Sequence, residues 1–381
     1  MLIKRIIETS ISDHLTRSNK AIILYGPRQA GKTTLCKTII NALNLKTLFI
    51  NADEGRYIDA LSSRDSRKLR ELVYGYELVV IDEAQRVPDI GINLKILIDT
   101  LPALKIIATG SSSFELANTI SEPLTGRKIT YQLYPIAQCE LKEHYNAFEL
   151  QNMLEERLIW GSYPEIFQLV GYEQKYAYMQ EMSADYLYKD IFMLQDIRKS
   201  EKIKNLLKLL AFQIGSEVSL NELSSKLNIS KETVGRYIDL LEKTFVLFPL
   251  SGFSRNLRKE VTKMNKYYFY DLGVRNALID NFKPLVERND TGALWENFLI
   301  VERIKMNHYI HSHKSSYFWR IYTGAEVDYV EEGENALAGY EFKWNAKTAK
   351  PPASWQTTYT KASWNVVSRE NWLEFAASLN K

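Results

Sequence analysis

Near its N-terminus the chain reads Gly26-Pro27-Arg28-Gln29-Ala30-Gly31-Lys32-Thr33-Thr34, which satisfies Gly-x-x-x-x-Gly-Lys-Ser/Thr without a mismatch. The two glycines let the backbone curl so that its N–H groups face an anion. A helix opening at Lys32 would add the partial positive charge of its N-terminus. Lys32 can reach β- and γ-phosphates, and the Thr33 hydroxyl can ligate magnesium. Residues 26–34 are therefore expected to bind ATP with Mg²⁺. Fifty residues after Lys32, the segment LVVIDEAQ places Asp82 at the end of an apolar run. A carboxylate there can hold magnesium through water, and the adjacent Glu83 can polarise an attacking water as general base. The segment KIIATGSSS then brings Thr109 and Ser111 to the end of a further strand. Either could contact the γ-phosphate, and the sequence does not choose.

A second group of charged residues lies towards the C-terminus. Glu296 sits in the helix-like LWENFLIVERIK, Asp328 in the strand-like GAEVDYV, and Glu341 and Lys343 in YEFKW. Residues two apart on a strand share a face, so Glu341 and Lys343 point the same way. Asp328 lies one hairpin earlier and can be their cross-strand neighbour. Carboxylates gathered in this way suit a second Mg²⁺ or Mn²⁺, bound by Asp328 and Glu341, with Lys343 orienting water. Glu326 shares the face of Asp328, and Gln356 is a further polar candidate. His308, His311 and His313 read as a solvated loop, since no acid stands at ligand spacing.

These residues need elements to hold them. Apolar runs at 21–25, 47–51, 78–81, 105–109 and 129–134 alternate with helix-length segments. That alternation predicts an α/β fold with a parallel sheet covered on both faces. From 138 to 213 the pattern is helical and includes a tyrosine-rich stretch read as core. From Ser219 a helix–turn–helix pattern follows, with Ser219 and Ser230 as N-caps. Two strands come next, joined by Arg255, Arg258, Lys259, Lys263 and Lys266 against the single acid Glu260. This is a winged-helix arrangement, suited to tracking DNA phosphates or to docking protein. The expected division is 1–137, 138–213, 214–285 and 286–381.

Of the 381 residues, 45% are hydrophobic and 25% charged, which excludes bulk disorder. The net charge of +3 means that any nucleic-acid surface must be local. Cys36 and Cys139 cannot build a disulfide framework and read as thiols in a reducing compartment. No signal-peptide core and no run of 18 apolar residues appear, so a cytoplasmic protein without a membrane span is expected.

The motifs GPRxxGKTT (26–34), IDEAQ (81–85), TGSS (109–112) and LTGR (124–127) resemble the AAA+ branch of P-loop ATPases. LYP (133–135), WGSYPE (160–165) and YFYDLGVRNAL (268–278) are similar to uncharacterised bacterial and archaeal members that carry a C-terminal domain of unknown function. The resemblance implies that Arg127 is an arginine finger, supplied in such proteins by a neighbouring subunit, and hence a homo-oligomer. Lys189, before Asp190, stands where relatives are expected to have Arg. The C-terminal order of helix acid, strand Asp and Glu-x-Lys resembles the PD-(D/E)XK, restriction-endonuclease-like fold, with Glu296, Asp328, Glu341 and Lys343 as its set. Two readings follow. One is an ATPase regulating cleavage of DNA; the other is an ATP-driven switch or interaction protein with an inactive nuclease-like domain.

Overall fold

The computed structural model describes residues 2–111, 123–183, 200–254, 265–346 and 348–378. Ser112, Lys189, Asp190, Arg255, Arg258, Lys259, Glu260 and Lys263, singled out above, lie outside the described residues. The chain forms two compact units. The first runs through residue 135 and includes 243–245; the second comprises the other described residues from 136 onwards.

In the first unit, helix α1 (Ile7–Arg17) precedes β1 (Ala21–Tyr25), α2 (Lys32–Leu43) and β2 (Thr47–Asn51). Then come α3 (Gly55–Leu61), α4 (Ser66–Val73), β3 (Leu78–Asp82), α5 (Ile90–Thr100), β4 (Lys105–Gly110) and β5 (Lys128–Gln132). The sheet order is β2-β3-β4-β1-β5, with every pairing parallel. All residues of β1 and β3 are buried, as expected of unbroken apolar strands inside a parallel sheet. The order matters more than the composition. β4 lies between β1 and β3, pairing Tyr25 with Gly110 and Ala108 with Ile81. The carboxyl ends of all three strands therefore meet along one edge, where α/β sheets bind ligands.

The second unit begins with α6 (Gln138–Leu141), α7 (Ala147–Trp160) and α8 (Tyr172–Glu181). After α9 (Ser200–Phe212), helices α10 (Leu220–Leu227) and α11 (Lys231–Lys243) form the helix–turn–helix. Its turn passes through left-handed Asn228, and Leu223, Leu227, Val234, Ile238 and Leu241 are buried. Strands β6 (Leu247–Gly252) and β7 (Lys266–Phe269) form an antiparallel hairpin. Next are α12 (Leu272–Leu278), α13 (Thr291–Tyr309), β8 (Ser315–Arg320), β9 (Glu326–Glu332) and β10 (Leu337–Phe342). The chain closes with α14 (Ala353–Thr358), β11 (Ser363–Val367) and α15 (Trp372–Ala377).

One six-stranded sheet, β11-β10-β9-β8-β6-β7, crosses the boundary expected at 285/286. The hairpin joins it because β6 pairs in parallel with β8, Ser251 beside Tyr317 and Gly252 beside Phe318. Phe253 then packs with Trp319, Val327, Val330 and Trp355. Pairing across some sixty residues leaves no local trace in a sequence.

The segments WGSYPE and YFYDLGVRNAL turn out to be two halves of one buried clamp. The Asp271 carboxylate caps α12 by accepting from Val274 N–H (3.1 Å) and reaches across to Ser162 N–H (2.6 Å). Asn276 Nδ2 donates to the carbonyls of Leu158 (3.0 Å) and Ile159 (2.7 Å), satisfying the end of α7. The backbones approach so closely that a Cβ on Gly273 would lie 2.1 Å from the Trp160 carbonyl oxygen. Gly273→Ala should therefore destabilise the chain by about 2–3 kcal/mol, read as a lower urea midpoint. A change under about 0.5 kcal/mol would contradict the clamp.

Candidate functional site

The loop between β1 and α2 is shaped by three backbone features. A Cβ on Gly26 would sit 2.1 Å from the Leu133 carbonyl oxygen, so only glycine fits. Gln29 (φ 51°) and Gly31 (φ 96°) take left-handed conformations that reverse the chain and aim N–H groups inward. Arg5, which sequence reasoning missed, is buried and donates from Nη1 to the Ala30 carbonyl (2.8 Å), fixing the loop from outside. Pro27 and Ala30 are buried, Arg28 is half-buried, and Thr34 is exposed on α2. Lys32 is 5% exposed, and its Nζ donates to the carbonyls of Gly26 (2.8 Å) and Pro27 (2.9 Å). The ammonium is thus held across the loop it would serve.

Asp82 is approached from both sides. Thr33 Oγ1 donates to Oδ2 (2.6 Å), and Thr109 Oγ1 donates to Oδ1. Thr109 Oγ1 also accepts from Glu83 N–H (3.2 Å). Glu83 itself is left-handed (φ 55°), which turns it out of the line of β3. Gln85 Nε2 donates to Glu83 Oε2 (2.6 Å) and to Ser111 Oγ (3.2 Å). The two hydroxyls left open by the sequence are thereby separated. Thr109 is fully buried and engaged with Asp82 and Glu83, whereas Ser111 reaches the base through Gln85. Thr33 and Asp82 supply adjacent hard oxygens at a helix N-terminus, a donor set that fits the Mg²⁺ of MgATP. Beneath them, burial and then the Asp82 carboxylate push the Cys36 thiol up to about 12, so it stays protonated.

Arg127, expected to serve a neighbouring subunit, lies far from its own chain's phosphate loop. Lys128 pairs with Ala21, and Ala21 N–H donates to the Arg127 carbonyl (2.9 Å), so Arg127 stands at the amino edge of the sheet. The loop lies at the opposite edge, about 15 Å away along β1. Its guanidinium pairs with Asp99 (2.7 Å). Because all strands are parallel, a residue just before β5 cannot reach its own chain's phosphate loop.

In the second unit the four C-terminal residues come together. Asn297, a residue missed in the sequence, brackets the edge of β7: it accepts from Phe269 N–H (2.8 Å) and donates to the Phe269 carbonyl (2.9 Å). This sets α13 so that Glu296 accepts from Tyr268 (2.5 Å) and Lys266 (3.3 Å). Tyr340 pairs with Tyr329, which brings Glu341 beside Asp328 one step on. Asp328 accepts from Phe342 N–H (2.7 Å), and Lys343 pairs with Glu341 (2.6 Å). The surprise is Lys266, only 3% exposed in its side chain, which also pairs with Glu326. Burial opposes its charge, but Glu296 and Glu326 outweigh burial and raise its pKa. Among the described residues no three His, Cys, Asp or Glu side chains are grouped to hold a metal ion. Of the expected metal pair, Asp328 is engaged by the Phe342 N–H and Glu341 by the Lys343 ammonium. Gln356 is exposed on α14.

Burial, then Glu296 and Glu341, push Asp328 up to about 8. Its folded pKa thus lies above its unfolded value of about 3.9, and its contribution to stability falls as pH rises between the two. Asp328→Asn should therefore raise the melting temperature relative to wild type more at about pH 8.5 than at about pH 5. An equal shift at both values would contradict this environment.

Residues 18–142 match the AAA domain family, and residues 151–285 and 291–367 match two families described as domains of unknown function. Uncharacterised proteins of Mycobacterium tuberculosis and Mycobacterium bovis are each 28% identical over 338 residues, covering 87% of this chain and 71% of theirs. An uncharacterised protein of Methanocaldococcus jannaschii is 25% identical over 333 residues, covering 77% of this chain and 69% of its own. Among solved structures, a Walker-type ATPase of Pyrococcus abyssi aligns with a TM-score of 0.48 at 15% identity, over 73% of this chain and 96% of that one. No helix among the described residues is long and apolar enough to cross a membrane. The first unit is an AAA+ P-loop ATPase domain, in a chain related to uncharacterised bacterial and archaeal proteins.

Proposed function

We propose that the chain binds MgATP at residues 26–34 and hydrolyses it with Glu83 as general base. The observation that carries this reading is the two-sided hold on Asp82 by Thr33 and Thr109, with Glu83 turned out beside it. Loop N–H groups and Lys32 take the phosphate oxygens, and Thr33 with Asp82 flanks the substrate's magnesium. Water attacks the γ-phosphorus and passes a proton to Glu83 as the bond to ADP breaks. Arg127 can serve only another copy's site, which makes assembly a condition for its role. Glu83→Gln should lower kcat by about 100-fold or more while ATP still binds. Hydrolysis that survives this substitution would overturn the assignment.

For the second unit we propose a PD-(D/E)XK-like domain joined to a winged helix and acting as a switch or docking module rather than a nuclease. Lys266 supports this, because its buried ammonium already pairs with Glu296 and Glu326 in the same acidic cluster. The exposed face of α11 mixes Lys231, Glu232, Arg236 and Asp239, which suits protein docking better than tracking phosphates. With Mg²⁺ or Mn²⁺, with and without ATP, the wild type should leave supercoiled plasmid intact. Nicking that disappears in Asp328→Ala would establish the nuclease reading instead.

A further inference from the structure

We infer that Gln85 is a positioning residue that couples Ser111, at the end of β4, to the general base Glu83; this rests on the ATPase reading above. The amide orientation is fixed chemically. An ionised Glu83 can only accept, so the NH₂ group must face it, and the same nitrogen reaches Ser111 Oγ. Gln85 follows Glu83 on a single 3-10 turn, Ala84–Arg86, so its side chain folds back over the strand end it has just left. Its other polar atom, Oε1, is buried and has no hydrogen-bond partner among the described residues. Buried polar atoms are rarely left so, and one beside a catalytic base marks an arrangement with a second, better-satisfied position.

Two consequences follow. The N–H donor holds Glu83 Oε2 at a set point. A phosphate oxygen can accept from the Ser111 O–H while Oγ still accepts from Gln85, so a shift of Ser111 towards phosphate is relayed through Gln85 to the base. Neither Thr109 nor Asp82 can carry this message, because Thr109 bonds the Glu83 backbone rather than its carboxylate. Gln85 need not touch ATP; it acts through Glu83.

The test is steady-state ATP hydrolysis by wild type, Gln85→Leu, Ser111→Ala, the double variant and Glu83→Gln, with binding of a fluorescent ADP analogue measured alongside. Gln85→Leu should lower kcat by about 10- to 100-fold while leaving KM and ADP affinity within about twofold. The double variant should lose no more than the worse single variant. Gln85→Glu, of equal size but without the amide donors, should lower kcat in the same way, which covers a packing defect in the leucine variant. A wild-type rate in both Gln85 variants, with Glu83→Gln inactive, would overturn the inference and leave the ATPase reading standing. No hydrolysis by wild type would overturn both.

Discussion

Asp82 ends a strand whose other four residues are fully buried, and its carboxylate is tolerable there because two threonine hydroxyls meet it. One comes from the phosphate loop and one from β4. A strand order without β4 between β1 and β3 could not supply both. The arrangement ties loop, strand end and base into one network, so the position of Glu83 depends on partners from three elements. Arg5 and the Leu133 carbonyl brace the loop from behind, leaving glycine as the sole residue that fits at position 26.

The second unit is organised by buried polar pairing rather than by an apolar core alone. Arg303 holds Glu331 through two N–H donors at 2.6 Å, while Arg157 and Lys305 share Glu302. Such pairs add little net stability but penalise any packing that separates them. The Asp271 clamp and the Asn297 bracket act in the same way. They fix α12 and α13 against their neighbours and so place Glu296 among Lys266, Tyr268 and Asp328. Once seated, Lys266 ties Glu296 to Glu326 within this cluster of acids.

Residues 26–34, Asp82 and Glu83 were legible because backbone geometry and phosphate chemistry permit few substitutes at that spacing. The parallel sheet was legible because strands buried on both faces must be apolar throughout. Gln85 stood inside a recognised motif yet carried no sign of its role, since an amide's partners depend on where β4 ends. The place of Arg127 at the amino edge of the sheet could not be read from LTGR, because it follows from the register of β5 on β1. Lys266 looked like part of a basic wing, and only the pairing of β6 with β8 reveals its acidic surroundings. Trp160 to Glu165 and Tyr268 to Leu278 read as motifs without chemistry, and their constraint is close backbone approach rather than catalysis.

The most direct test of the central claim is magnesium-dependent nucleotide binding, followed by calorimetric titration of ATP into wild type, Lys32→Ala and Asp82→Asn. The account predicts saturable binding by wild type that strengthens with magnesium, a large loss in Lys32→Ala, and a loss of the magnesium effect in Asp82→Asn. Equal affinity in all three proteins, with or without magnesium, would contradict it.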